Sequence, residues 1–219
     1  MYEGTIDWDA YWREECDAGA LDVTSDDTKV TLLERFFEQA GTPASVASVG
    51  CGDATLPAAL AGSYPETAVW GFDAAPAIIE QNRETYADRD NLRFDVAALP
   101  GPEIDRQFEL VYCYGTLHYV RETAQAMRDL YDLVAPGGHL VVNYPNAGSQ
   151  AAHQEHTEVD SRMYERFELV YEGENLLSGD RIADLLDAPI KDFWAAVDAP
   201  DTHWTKPGNP CVYVRRPSR

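Results

Sequence analysis

Glycines and acids at the ends of short apolar runs are the residues of this chain best suited to chemistry. Gly50, Cys51 and Gly52 interrupt the segment ASVASVGCGDATLPAAL, between a strand-like apolar run and a helical pattern with Pro57 in its first turn. Glycine permits left-handed backbone and close approach of a ligand, and a helix start offers unpaired amide donors. The turn therefore predicts either a site for a nucleotide-like ligand or a plain strand-to-helix connection.

Two aspartates stand where further strands are predicted to end. Asp73 follows the run TAVWGF, 21 positions after Gly52, and Asp95 lies near the end of NLRFDV. A carboxylate at Asp73 could accept hydrogen bonds from both hydroxyls of a ribose, and a carboxylate at Asp95 could pair with an exocyclic amine. Either acid alone could instead be a solvated strand end or a helix cap. Because ligands of parallel sheets lie at the carboxyl ends of the strands, we expect both acids and the glycine turn to share one site.

The elements that must position these residues alternate between strand and helix. Strands are predicted over 46–49, 67–72, 91–96, 108–114, 140–143, 190–197 and 211–215. Helical patterns lie before Gly41, after Pro57, from Pro76, from Thr123 to Val134 with Pro136-Gly137-Gly138 as the stop signal, and from Ser178 through Leu186; residues 150–173 predict only partial helix. Alternating strands and helices favour an α/β fold with a doubly wound parallel sheet, and the short link between the last two strands favours an antiparallel hairpin.

The first residues of the chain are acidic and aromatic. Trp8, Tyr11 and Trp12 have spacings that place them on one face of a helix. That face is expected either to pack on the domain or to form a lid over a ligand. Asn143, Tyr144 and Asn146 follow the fifth predicted strand, and His203 with Trp204 lie in the predicted final hairpin loop. We expect each to be a loop or packing residue, with a role as substrate ligand as the alternative.

The charge of the chain is strongly acidic. The 219 residues include 38 acidic and 17 basic side chains, for a net charge of −21, and the acids are spread along the whole length. We interpret this as an acidic surface and hypothesise adaptation to a high-salt cytoplasm, because salt screens the self-repulsion of such a surface. Nucleic acid is an unlikely partner because binding its phosphates requires a basic stripe, and none is visible.

Other classes of protein are disfavoured by what the composition lacks. No segment reads as a signal peptide or a membrane span, so we expect a cytoplasmic protein with no membrane partner. Four cysteines lie far apart without the spacing of metal ligands. His153 and His156 could mimic a metal pair, but no third ligand accompanies them, and no metal is expected. The length favours one domain.

The motifs in their order resemble one enzyme family. The segments SVGCGDA, AVWGFDAAP, RFDVAALP, FELVYCYGTLHYV and LVAPGGHLVV are similar to successive motifs of the class I S-adenosylmethionine-dependent methyltransferases, over residues 44–144. The resemblance implies a Rossmann-like sheet of seven strands with the last strand antiparallel, and S-adenosylmethionine as cofactor. It also implies a single domain over 1–219, with a helical cap at 1–40, a cofactor-binding core at 44–146 and a substrate side at 147–219.

The same resemblance assigns roles to individual residues. It implies that Gly50, Cys51 and Gly52 line the methionine part of the cofactor, that Asp73 with Ala74 holds the ribose, that Asp95 and Val96 flank the adenine, that Cys113 lies under the sulfonium, and that Tyr11 and Trp12 belong to a lid. Two positions depart from the family pattern: Ser48 replaces an acid and Ala54 replaces a third glycine. Ala54 is expected to be tolerated because the backbone there should already be helical. A dinucleotide loop is disfavoured because it would need glycine at Thr55.

The chemistry itself is less visible in the sequence than the cofactor motifs. Methyl transfer mainly requires the nucleophile, the methyl group and the sulfur to be held in line, which needs no universal catalytic residue. His118 and Tyr119 are weak candidates to face the methyl group and accept a proton, with packing of His118 at the sheet edge as the alternative. We expect a small-molecule acceptor. The alternative is a catalytically silent domain that binds the cofactor or a protein.

Overall fold

A computed structural model describes residues 5–14, 26–156, 158–159, 161–202, 205 and 208–218. The strands are β1 Ser45–Val49, β2 Ala68–Asp73, β3 Leu92–Val96, β4 Phe108–Cys113, β5 Val134–Asn143, β6 Ile190–Asp192 and β7 Cys211–Arg215. The helices are α1 Trp8–Glu14, α2 Asp26–Ala40, α3 Thr55–Ser63, α4 Pro76–Thr85, α5 Thr123–Asp132, α6 Ala147–His156, α7 Arg162–Glu172, α8 Gly179–Leu186 and α9 Phe193–Ala196, with a 3-10 turn at Leu117–Tyr119.

The strands form one sheet in the order β3-β2-β1-β4-β5-β7-β6. The first five strands pair in parallel, and β7 runs antiparallel to both β5 and β6. This confirms the predicted doubly wound sheet and its antiparallel last strand. The carboxyl ends of β1 to β5 therefore meet at one edge, where the glycine turn and both aspartates lie.

Both faces of the sheet are covered, as the apolar run of β4 predicts. Side chains of a strand alternate between faces, so Leu110 and Tyr112 pack with α2 and α3 on one side. Val111 and Cys113 pack with α5 and α8 on the other. This double burial makes β4 the centre of the fold and fixes the position of the loop that follows it.

The predicted stop signal after α5 is wrong. Helix α5 ends at Asp132, and Pro136-Gly137-Gly138 lies inside β5. The pairing of β5 with β4 changes register between Phe108 and Leu110, and a Cβ on Gly138 would lie only 2.6 Å from the carbonyl oxygen of Glu109. The glycine is therefore required by close approach of two strands in an irregular ladder, and not by a helix end.

The sixth strand is shorter than predicted. It ends at Asp192, whose Oδ1 accepts a hydrogen bond of 2.9 Å from the amide of Ala195 and so caps α9. Phe193 and Trp194 are buried in that helix instead of continuing the strand. The polar segment 150–173, predicted as partial helix, contains most of α6 and all of its neighbour α7. The predicted loop residues His203 and Trp204 lie outside the described residues. Among the residues described, no helix is long and apolar enough to cross a membrane.

Candidate active site

The glycine turn after β1 has the backbone geometry that its sequence predicts. Gly50 and Gly52 have φ of +73° and +51°, in the left-handed region. The amides of Gly50 and Cys51 both donate to the carbonyl oxygen of Phe72, at 2.7 and 2.9 Å, which ties the turn to β2. A Cβ on Gly50 would overlap the side chain of Thr116 in the loop after β4. Glycine is thus needed here for both conformation and space.

The expectation that the backbone at Ala54 is helical is wrong. Its φ of +60° and ψ of +17° are left-handed, immediately before α3, and its side chain is fully buried. The residue that replaces the family's third glycine therefore occupies a backbone conformation that glycine adopts more easily. Ser48, in place of the usual acid, is buried within β1.

Asp73 connects the end of β2 to the glycine turn. Its Oδ2 accepts from the amide of Gly52 at 3.0 Å, and its Oδ1 accepts from the amide of Ala75 at 3.1 Å. Burial raises the pKa of Asp73, while these backbone hydrogen bonds oppose the shift. A carboxylate has about four acceptor positions, so two hydrogen bonds leave room for ribose hydroxyls. The residues present thus fit the sugar of the cofactor, and Ala74, beside Asp73, is half-buried at the same edge.

Asn82 is a functional candidate that sequence reasoning missed. Its Nδ2 donates to the carbonyl oxygen of Gly52 at 2.7 Å, and only 2% of the residue is exposed. Asp73 and Asn82 therefore hold the amide and the carbonyl of the same turn residue, Gly52. A polar residue at helical spacing from Ile78 and Ile79, on the buried face of α4, was the available signal.

Asp95 and Val96 lie at the same sheet edge, one strand further out. In the register of β2 with β3, Asp95 stands beside Phe72 and Val96 beside Asp73. The Asp95 side chain is 61% exposed, and its Oδ1 accepts from Arg83 at 3.0 Å and from the amide of Val96 at 3.0 Å. Their proposed contacts with adenine remain predictions, and the ion pair with Arg83 leaves Oδ2 available.

Cys113 ends β4 beneath this edge. The residue is fully buried, and burial raises the pKa of its thiol to about 12. The side chain of Thr116 hydrogen-bonds the thiol and opposes that shift. The thiol is therefore neutral at ordinary pH, and its place under the sulfonium stays a prediction.

Helix α1 lies across the glycine turn, as the lid interpretation requires. A ring carbon of Trp12 is 3.4 Å from the position of a Cβ on Gly52. Oδ1 of Asp9 accepts a hydrogen bond of 2.7 Å from the amide of Ala77 at the start of α4. Tyr11 is buried beside Trp12, with ring centroids 5.4 Å apart. The helix is therefore attached to the sheet edge that carries the predicted cofactor residues.

His118 and Tyr119 lie in the 3-10 turn after β4, beside helices α6 and α7. His118 is 7% exposed, and its Nδ1 has no hydrogen-bond partner among the described residues. Burial, with a smaller effect of His153, lowers the pKa of His118 to about 3, so the imidazole is neutral. If His118 only packed at the sheet edge, both of its ring nitrogens should have hydrogen-bond partners. The Nδ1 without a partner does not fit that alternative.

Aromatic rings of α1 and α7 pack against this turn. Phe167 of α7 lies 5.1 Å from the ring of Tyr119 and 4.4 Å from the ring of His153, as centroid distances. Trp8 of α1 lies 4.7 Å from Tyr119. His153 thus stacks on an aromatic ring, and within the described ranges no group of three or more potential metal ligands is found.

Two further asparagines hold the loops of the site. The Nδ2 of Asn175 donates to the carbonyl oxygens of Leu117, His118 and Val120, at 3.2, 3.0 and 3.2 Å. Asn143, predicted as a loop or packing residue, is the buried last residue of β5, and its Oδ1 accepts from the amide of Gly115 at 3.2 Å. Both asparagines position backbone of the loop after β4, through contacts distant in sequence that no local pattern could reveal.

Comparison with known proteins agrees with this geometry. Residues 47–140 match the sequence model of a family described as methyltransferase domain. The trans-aconitate 2-methyltransferase of Deinococcus radiodurans is 27% identical over 167 residues, which cover 74% of this chain and 61% of that relative. The trans-aconitate 2-methyltransferase of Methylobacterium radiotolerans is 30% identical over 112 residues, covering 51% and 42%. The chain thus spans less than two thirds of the length of these curated relatives.

The fold is shared with solved methyltransferases. The plantazolicin methyltransferase BpumL, in complex with a triazolic desmethylPZN analog and S-adenosylhomocysteine (SAH), superposes with a TM-score of 0.66 at 10% identity, covering 95% of this chain and 88% of that one. At 10% identity this similarity shows only that the fold is shared. Residues 47–140, which include the glycine turn and most of strands β1 to β5, therefore match a methyltransferase domain in sequence, and the chain shares the fold of solved methyltransferases.

Proposed function

We propose that the chain transfers a methyl group from S-adenosylmethionine to a small-molecule acceptor. The observation that carries the proposal is the 3.0 Å hydrogen bond from the Gly52 amide to Asp73, because it joins the two predicted cofactor contacts into one rigid unit. Relatives that are 27–30% identical are named for trans-aconitate, a small molecule, which supports an acceptor of that size.

The residues of the chain contribute by binding and orienting. The glycine turn would hold the methionine part of the cofactor and Asp73 the ribose, while α1 excludes water from above. Bound S-adenosylmethionine supplies an electrophilic methyl group on a positively charged sulfur. Holding the acceptor atom in line with that methyl group is the main task left to the protein, and correct positioning contributes roughly 7–11 kcal/mol to such reactions.

His118 is the polar side chain proposed to meet the acceptor. Its lowered pKa keeps the imidazole neutral, so the unpartnered Nδ1 is suited to a hydrogen bond and not to holding a proton. Tyr119, between Trp8 and Phe167, would supply part of the aromatic wall.

Transfer of radiolabelled methyl from S-adenosylmethionine to an extract of small metabolites tests the proposal. We expect labelled small molecules with the wild-type chain. SAH binding without any labelled product would contradict it and return the chain to the alternative of a silent cofactor-binding domain.

A further inference from the structure

Arg166 differs from the other arginines near the proposed site in what it contacts. Its guanidinium carbon lies 5.2 Å from the ring centroid of Tyr11, and its carbonyl oxygen accepts a hydrogen bond of 2.9 Å from Thr5. Among the described residues its guanidinium makes no ion pair or hydrogen bond, whereas Arg13 and Arg83 each contact an aspartate. In a chain with 38 acidic side chains, a half-buried guanidinium without a carboxylate partner is a group that a ligand can use.

The helix that carries Arg166 is kinked at the next residue. Phe167 has non-helical φ of −105° and ψ of +19° inside α7. Its ring contacts Tyr119 and lies 6.2 Å from His118, as centroid distances. Arg166 and Phe167 are therefore consecutive residues that join α1 to the loop after β4. They border the same aromatic cluster, which we define as Trp8, Tyr11, Trp12, Tyr119 and Phe167.

A second observation at this cluster also indicates a ligand. Nδ1 of His118 is buried without a partner in the described part of the chain. Leaving such an atom unsatisfied is costly, so it calls for a hydrogen-bonding group that the protein itself does not supply. A cationic group and a neutral hydrogen-bonding group thus border one aromatic wall.

Because the protein is strongly acidic, an anionic acceptor would need a local cation to bind. A net charge of −21 repels anions from the surface as a whole. A guanidinium backed by an aromatic ring binds carboxylates through paired, charge-assisted hydrogen bonds. We propose that Arg166 anchors a carboxylate of the acceptor, which is therefore an organic acid, with its carbon skeleton against the aromatic cluster and a polar group on Nδ1 of His118.

This inference rests on the proposed methyl transfer, so its test begins with the chain saturated with SAH. Trans-aconitate, fumarate, cinnamate and benzoate are titrated by calorimetry into the SAH complex, each beside its methyl ester. We expect at least one free acid to bind and its ester not to bind. Arg166→Gln should raise the Kd for that acid by about tenfold or more, because a charge-assisted contact is lost. Arg166→Lys should recover part of the affinity.

Arg162→Gln, one turn earlier on α7, is the matched control and should bind the acid as the wild type does. SAH affinity is measured for every variant. Equal loss of SAH and acid affinity in Arg166→Gln would restrict Arg166 to holding α1 and would overturn the inference. Binding of SAH with no binding of any acid would also overturn it while leaving the proposed methyl transfer intact. Failure to bind SAH would overturn the proposed function itself.

Discussion

Replacing Asn82 with leucine should weaken the cofactor site in a measurable way. The substitution keeps the number of side-chain heavy atoms and their branched shape but removes the 2.7 Å hydrogen bond to the carbonyl oxygen of Gly52. Loss of one partner of a buried hydrogen bond costs about 1–3 kcal/mol. Because the amide of the same residue, Gly52, donates to Asp73, part of this cost should appear in cofactor binding. We expect a loss of about 1–2 kcal/mol in unfolding free energy and roughly a fivefold to tenfold rise in the Kd for SAH.

Asn91→Leu is the matched control for this prediction. Nδ2 of Asn91 donates to the carbonyl oxygens of Ala61, Tyr64 and Thr67, at 2.9, 3.3 and 3.1 Å, near the amino end of β3. Its loss should destabilise the fold at least as much as Asn82→Leu, since three acceptors lose their donor. The Kd for SAH should stay within about twofold of the wild type, because the change lies at the opposite edge of the sheet.

Urea unfolding and SAH calorimetry on both variants decide the matter. If Asn82→Leu loses stability but keeps the wild-type Kd, the glycine turn does not depend on this contact. If Asn91→Leu raises the Kd for SAH as strongly as Asn82→Leu does, the weaker binding results from a general loss of stability, and the reasoning fails.

Three further predictions concern stability. His118 has a pKa of about 3 in the folded chain against an ordinary 6.5, so the folded state loses stability as pH falls from about 6.5 toward 3. In urea unfolding, His118→Gln should reduce the slope of unfolding free energy against pH by up to about 1.4 kcal/mol per pH unit, and an unchanged slope would contradict the burial of His118. Ala54→Gly relieves about 1–2 kcal/mol of left-handed backbone strain, but it also removes a buried methyl group and raises the entropy of the unfolded chain. These effects oppose each other, so the unfolding free energy should change by less than about 1 kcal/mol, and a larger loss would refute the prediction. We propose that the acidic surface reflects adaptation to high salt: the melting temperature should rise from low to molar KCl, and a fall would sink that hypothesis.

Local patterns were enough to place the predicted cofactor residues at one edge of the sheet. The glycine turn, Asp73 and the strands that carry them depend on residues close in sequence, and their positions follow from the rule that parallel strands end at one edge. Ala54 shows the limit of such reasoning. An alanine beside a helix start reads as helical, and only the surrounding structure reveals its φ of +60°.

Long-range contacts decided what the patterns missed. Gly138 looked like part of a helix stop, but its close approach to the carbonyl of Glu109 belongs to strand pairing. The apolar run through Trp194 looked like a strand until Asp192 capped a helix within it. Arg166 and Phe167 lie in a polar segment without clear periodicity, and their aromatic partners Tyr11 and Tyr119 are distant in sequence. The contacts of Gly138, Arg166 and Phe167 join residues distant in sequence, whereas the Asp192 cap is a local signal that the apolar run concealed.

Titration of SAH into the wild type, Asp73→Ala and Asp90→Ala, in molar KCl, tests the central claim most directly. Asp90 is an exposed aspartate just before β3, away from the glycine turn, and serves as the control for loss of one negative charge. The account predicts that the wild type and Asp90→Ala bind SAH alike and that Asp73→Ala binds at least about tenfold more weakly, since it loses the ribose contact and the hydrogen bond from Gly52. Equal binding by all three, or none by the wild type, would contradict it.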